Sequence, residues 1–152
     1  LPYKLVFRNV YNVLVVGYFM EEDCIFCKIV KGEIPCHKIW EDEDSIAFLD
    51  INPVVKGHTI IIPKIHTKWI WDMGDEEYSK LMMATKTVAG FLRKAFETDC
   101  IQESVIGFDM HHTHVHLFPR TDGDGLPIAP TVPIDPKPTN DELAELAKKI
   151  RE

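Results

Sequence analysis

The sequence predicts an α+β domain: a five-stranded meandering antiparallel sheet with one long helix and shorter helices packed on it. Three observations lead there. Short runs rich in β-branched and aromatic residues recur at 38–41, 45–49, 58–62, 101–108 and 113–119. A single long stretch, Asp75 to about Glu97, has apolar residues at helical spacing. The order of elements is helix, three strands, helix, two strands, helix, in which consecutive strands with short connections pair antiparallel and the helices cover one face.

Each element has its own local cause. Cys24 to Lys31 carries apolar residues at 25, 26, 29 and 30, and Gly32 supplies a helix stop. Lys38 to Glu41 and Ser45 to Leu49 flank the turn-forming run Asp42-Glu43-Asp44, which makes a hairpin. His58 to Ile62 is β-branched, too short for a helix and stopped by Pro63, so it reads as a central strand. In the long helix Tyr78, Leu81, Met82, Thr85, Val88, Ala89, Leu92, Ala95 and Phe96 form the stripe that packs on the sheet; Met82 and Met83 read as core filling. Ile101 to Phe108 and Thr113 to Pro119 supply the last two strands. The Gly- and Pro-rich segment from Thr121 to Pro138 reads as an extended loop, and Thr139-Asn140-Asp141-Glu142 is a capping box that opens a final helix to about Arg151.

With 152 residues the chain has the size of one domain and therefore one principal site. A formal net charge of -7 argues against specific nucleic-acid binding, which draws on a surplus of Lys and Arg. Four cysteines, Cys24, Cys27, Cys36 and Cys100, are too few and too unevenly spaced for a disulfide scaffold, which favours a reducing, cytoplasmic setting. Residues 1–19 include an apolar stretch too short to span a bilayer and no small-residue cleavage site, so no membrane association is expected. We read 1–19 as an extension outside a single unit at 20–152; the alternative is an added hairpin from Tyr3–Phe7 and Val10–Val16.

The chemistry concentrates in His112-Thr113-His114-Val115-His116-Leu117-Phe118. Alternate side chains of a strand share a face, so the three histidines lie together opposite Thr113, Val115 and Leu117. Neutral imidazole has one nitrogen that accepts or attacks and another that donates, which suits attack on phosphorus with stabilisation of the developing charge. A metal patch or hydrogen-bonded surface histidines are the plainer alternatives.

The pattern resembles the histidine triad (HIT) family, in which three histidines alternate with apolar residues. Cys24-Ile-Phe-Cys-Lys-Ile-Val, Glu33-Ile-Pro, Trp40-Glu-Asp-Glu, Ala47-Phe-Leu-Asp-Ile and Gly57-His-Thr-Ile-Ile-Ile-Pro-Lys are similar to that family's N-terminal half, so the likeness covers about 20–120. The resemblance implies a Hint- or Fhit-like nucleotide hydrolase or nucleotidyl transferase, acting on a purine nucleotide or its conjugate. His114 would be the nucleophile that takes up the nucleotidyl group, His116 a contact to the α-phosphate and His112 their companion. Asp50 would accept from ribose hydroxyls, Phe26, Phe48 and Ile51 would receive the base, and His58 would lie near the phosphates. For the aromatic residues the alternative is core packing, for Asp50 a turn cap before Pro53, and for His58 a structural role. A homodimer joined through the long helix and the 101–108 strand is also implied.

Cys24-x-x-Cys27 is raw material for a zinc site, and by the same resemblance His66 and His112 complete it. Four protein ligands make such a zinc structural; two reduced cysteines packed on a short helix are the alternative. The match departs where better-known branches of the family carry a Gln followed by Ser or Thr: Phe108 and Asp109 stand there, removing a donor and adding a charge. Arg120 is expected to make a loop contact rather than to clamp phosphate. The competing functions are a nucleotide- or partner-binding module with little catalysis, and a zinc scaffold.

Overall fold

A computed structural model describes residues 6–8, 14–16 and 23–152. Strands β1 (Val6–Arg8) and β2 (Leu14–Val16) pair antiparallel as a two-stranded sheet of their own. That pairing is the hairpin alternative for this segment, whose other residues up to 22 lie outside the described ones.

The main sheet has five antiparallel strands in the order β3-β4-β5-β7-β6: β3 (Lys38–Glu41), β4 (Ser45–Leu49), β5 (Thr59–Pro63), β6 (Cys100–Val105) and β7 (Val115–Arg120). The first three follow one another as a meander. β7 then lies against β5, and β6 occupies the rim. Composition explains that placement: β7 is mostly buried, whereas β6, Cys-Ile-Gln-Glu-Ser-Val, has the polar alternation that an edge tolerates. Because β5 and β6 are both antiparallel to β7, they run the same way, and strands so related need a long crossover. The helix α2 (Asp75–Phe96) is that crossover.

Helix α2 buries Leu81, Ala84, Thr85, Val88 and Leu92, and α3 (Asn140–Arg151) buries Leu143, Ala147 and Ile150. Together they cover the sheet face formed by Ile39, Ala47, Leu49, Ile61, Val115 and Leu117. The helical phase that buries Leu81 and Leu92 turns Met83 outward, where it is 61% exposed, so only Met82 of the pair reaches the core. The short helix α1 (Ile25–Val30) packs on the opposite face against Ile46, Phe48, Ile60 and Ile62. Covered on both sides, β4 and β5 are buried throughout, which is why they read as continuous apolar runs.

Most boundaries fall within two residues of the sequence reading. The capping box at Thr139 and Glu142 is formed in both directions, and α2 ends on Glu97 in the left-handed conformation. A 3-10 turn at Ile70–Asp72 was not foreseen. The two final strands are shorter than the sequence suggests, leaving residues 106–114 as a connection that carries His111, His112 and His114.

Candidate functional site

The site lies on the α1 side of the sheet. Backbone register sets Phe48, Ile60, His116 and Ser104 side by side across four strands, so the imidazole stands between two apolar neighbours and the serine of the edge strand. His112, at a bend, and His114 precede β7 and do not lie within it. Their segment is held by Thr113, whose amide and hydroxyl both donate to the carbonyl of Thr67, at 2.7 and 2.9 Å. The triad is therefore brought together, with its first two members fixed by a loop partner that no strand pattern could reveal.

His114 is buried, and its Nδ1 lies 2.7 Å from the backbone carbonyl of His112. A carbonyl can only accept, so Nδ1 carries the proton and Nε2 is left with its lone pair. Burial pushes the His114 pKa down, opposed by the His112 carbonyl and by Asp50. The same desolvation lowers His116 to about 3, reinforced by His114 and His58. Both rings are thus neutral near pH 7.

His116 Nδ1 lies 2.9 Å from His58 Nε2. The amide of Val54 reaches His58 Nδ1 at 3.4 Å, and a single shared proton joins the two facing imidazole nitrogens. The His58 ring also packs against Phe118 at 4.6 Å between centroids, and burial lowers its pKa against the pull of Asp50. One oxygen of Asp50 accepts from the Asn52 amide at 2.8 Å, so the turn-capping alternative is realised. The other lies 3.4 Å from His58 Nδ1.

Phe26 and Phe48 belong to the buried cluster under α1, and the Phe26 ring meets His112 and His114 edge-on at 5.7 and 5.3 Å. Ile51 stands apart from them at 52% exposed. Asp50 and His58 also border a cavity of about 840 Å³ that runs under the 134–138 loop to α3.

The four expected metal ligands converge. Cys24 Sγ is 3.4 Å from His112 Nδ1, and Cys27 Sγ is 3.3 Å from His66 Nδ1 and 3.6 Å from His112 Nδ1. A tetrahedral zinc bound at about 2.3 Å by sulfur and about 2.0 Å by nitrogen sets such ligands about 3.5 Å apart. His112 Nε2 donates to the Pro63 carbonyl at 2.9 Å, leaving Nδ1 free of a proton and aimed at the thiols. The residues fit a zinc ion in donor type, in spacing and in the Pro63 carbonyl that fixes the His112 ring.

Arg120 turns away from this chemistry. Its guanidinium bonds Asp124, Gln102 and the carbonyls of Leu126 and Pro127, as a loop contact should. Phe108 is 86% exposed and Asp109 is also exposed. The residues missed from sequence are Thr67, Val54 and Trp69, the last packed on His111 at 5.7 Å; the first two act through backbone groups, which leave no trace in side-chain identity.

Fold and site define an α+β protein with neutral histidines gathered beside a Cys2His2 cluster. The HIT domain profile matches residues 31–123. An uncharacterized HIT-like protein of Methanocaldococcus jannaschii is 42% identical over 106 residues, 67% of this chain and 82% of that one. The adenosine 5'-monophosphoramidase hnt1 of Schizosaccharomyces pombe is 35% identical over 131 residues, 84% of this chain and 98% of that one. A crystal structure of a Zn-bound histidine triad family protein from Mycobacterium smegmatis superposes with a TM-score of 0.72 at 29% identity, covering 85% of this chain and 91% of the other. The chain belongs to the HIT family and is a HIT-type hydrolase.

Proposed function

We propose that the chain cleaves a nucleotide conjugate, a phosphoramidate or a dinucleoside polyphosphate, at its α-phosphate through a covalent nucleotidyl-His114 intermediate. The observation that carries this reading is the 2.7 Å bond from His114 Nδ1 to the His112 carbonyl, which leaves Nε2 unprotonated and oriented. In the first step Nε2 forms a bond to phosphorus and the bond to the leaving amine or phosphate breaks. A departing amine takes its proton from solvent, while His116, held against His58, keeps its own proton and would donate a hydrogen bond to an α-phosphate oxygen. Water then bonds to phosphorus and releases its proton to solvent, the N–P bond breaks, and the mononucleotide departs leaving His114 neutral. Asp50 would accept from the ribose hydroxyls, with Phe26, Phe48 and Ile51 as the apolar side of the base site.

Zinc on Cys24, Cys27, His66 and His112 would tie α1 to the sheet and fix His112, whose carbonyl orients the nucleophile. The working unit is residues 20–152, acting as a homodimer through α2 and β6. Replacing His114 with Ala is expected to abolish both turnover and capture of a radiolabelled nucleotidyl-enzyme; turnover unchanged in that variant contradicts the mechanism.

The exposed Phe108, at a position where related branches carry a donor, favours a second reading: a nucleotide-binding module with little catalysis. That reading predicts mononucleotide binding by calorimetry with no phosphoramidate hydrolysed.

A further inference from the structure

We infer that the concavity beside His114 walled by Trp69, Trp71, Ile106 and Phe108 is a subsite for the leaving group, and that it selects flat aromatic amines. The inference rests on the proposed cleavage at phosphorus and names the class of conjugate that this chain prefers.

The concavity, about 240 Å³, is bounded in part by His114, so it adjoins the residue proposed to attack phosphorus. Its volume is below the range of about 300–1,000 Å³ that whole small-molecule ligands occupy. It therefore fits one ring-bearing substituent and not a nucleoside. The nucleoside has the other side of His114, toward Asp50 and His58.

The walls are built. The two Thr113 bonds to Thr67 fasten the start of the 67–71 turn beside the triad segment, and Gly107 brings the 105–108 connection against Trp69. Gly107 has no side chain where Trp69 packs, and a Cβ there would be 2.7 Å from Trp69 Cζ3. His111 packs on the same indole, and Lys68 Nζ lies 5.2 Å from its centre. Trp71 and Phe108 are 84% and 86% exposed, an apolar surface in solvent that marks a binding patch. The lining offers no carboxylate or side-chain amide to a polar leaving group, and Lys68 is its one charged residue. Aromatic faces, a cation at the rim and a depth of one ring suit an aromatic amine.

The test uses the full chain and two adenosine 5'-phosphoramidates whose amines differ in shape but are matched in basicity, one benzylic and one aliphatic. Wild type is expected to favour the benzylic conjugate by about tenfold in kcat/KM. Phe108→Ala and Trp71→Ala, both at exposed positions, are expected to bring that ratio close to one, while Phe108→Tyr retains it. A ratio of one in wild type, or a ratio unmoved in both alanine variants, overturns the inference. So does an equal loss on both conjugates with an altered sedimentation coefficient, which would assign the patch to a second copy of the chain. Turnover without preference defeats the subsite alone. Absence of turnover with either conjugate in wild type, or turnover that survives His114→Ala, defeats the cleavage reading and this one with it.

Discussion

A histidine that must attack phosphorus at neutral pH works only if its lone pair is not already occupied by a proton. Burial secures this for His114 by lowering its pKa from the ordinary histidine value of 6.5. The protonated, inactive form accumulates only as pH falls through that lowered value. The acidic limb of kcat/KM for a phosphoramidate is accordingly expected below pH 6.5, and a limb at or above it would contradict a desolvated nucleophile. His116 carries the same physics into stability. Its folded value of about 3 lies below the unfolded value of 6.5, so between these limits the unfolded chain holds a proton that the folded chain does not. Stability from this group is complete above pH 6.5 and declines as pH falls toward 3, by on the order of 1 kcal/mol per pH unit. Urea unfolding at pH 7 and pH 5 should show His116→Gln losing about 1–2 kcal/mol less than wild type over that interval. Equal losses would mean that His116 is well solvated.

At the scale of elements, what was legible followed from local chemistry, and what was missed followed from distant partners. β3 and β4 have their expected bounds because an acidic turn separates two strand-forming runs. β7 begins two residues later than expected because Thr113 pairs with Thr67, a partner 46 residues away. The His58 to His116 contact likewise joins residues 58 apart in the chain, and only family resemblance pointed to His58. Met83 was misread because neighbouring residues of a helix point about 100° apart, so a Met pair cannot both face the core. Arg120 shows how one side chain can order an element that has no regular structure. Its five N–H groups all find acceptors, two of them on Asp124, and these bonds fasten the start of the 121–138 loop to β6 and β7. Lysine offers three donors in another geometry and cannot reproduce this fork. Arg120→Lys is therefore expected to speed proteolytic cleavage within 121–138. Limited proteolysis followed by mass spectrometry decides it; an unchanged cleavage rate would mean the loop is held by other contacts.

Across the whole molecule, the sheet divides two tasks between its faces. α2 and α3 bury one face in a continuous apolar core, while the one helix on the other face, among the described residues, is the short α1, whose buried residues are Phe26 and Cys27. A helix of 6 residues is too short to be stable by itself, so its hold on the sheet must come from tertiary contacts. Cys24 and Cys27 at its start face His66, beyond β5, and His112, before β7; one ion bound by all four would join three separated parts of the chain. The Phe26 ring rests edge-on against His114, so the position of α1 and that of the nucleophile are mechanically linked. Metal analysis of the purified chain is expected to give one zinc per chain, and Cys27→Ser to lose it. Four protein ligands leave no position for water, so such an ion would act on structure and not on the reacting bond. Chelation should then lower the Tm by several degrees, on the order expected when about 1–2 kcal/mol is lost from a domain of this size. Well below that Tm, turnover should persist in the chelated protein, with KM affected more than kcat because Phe26 is on the base side of the proposed site. Loss of all turnover with the fold intact by circular dichroism would instead make the metal part of the chemistry, and an unchanged Tm would leave α1 held by packing alone.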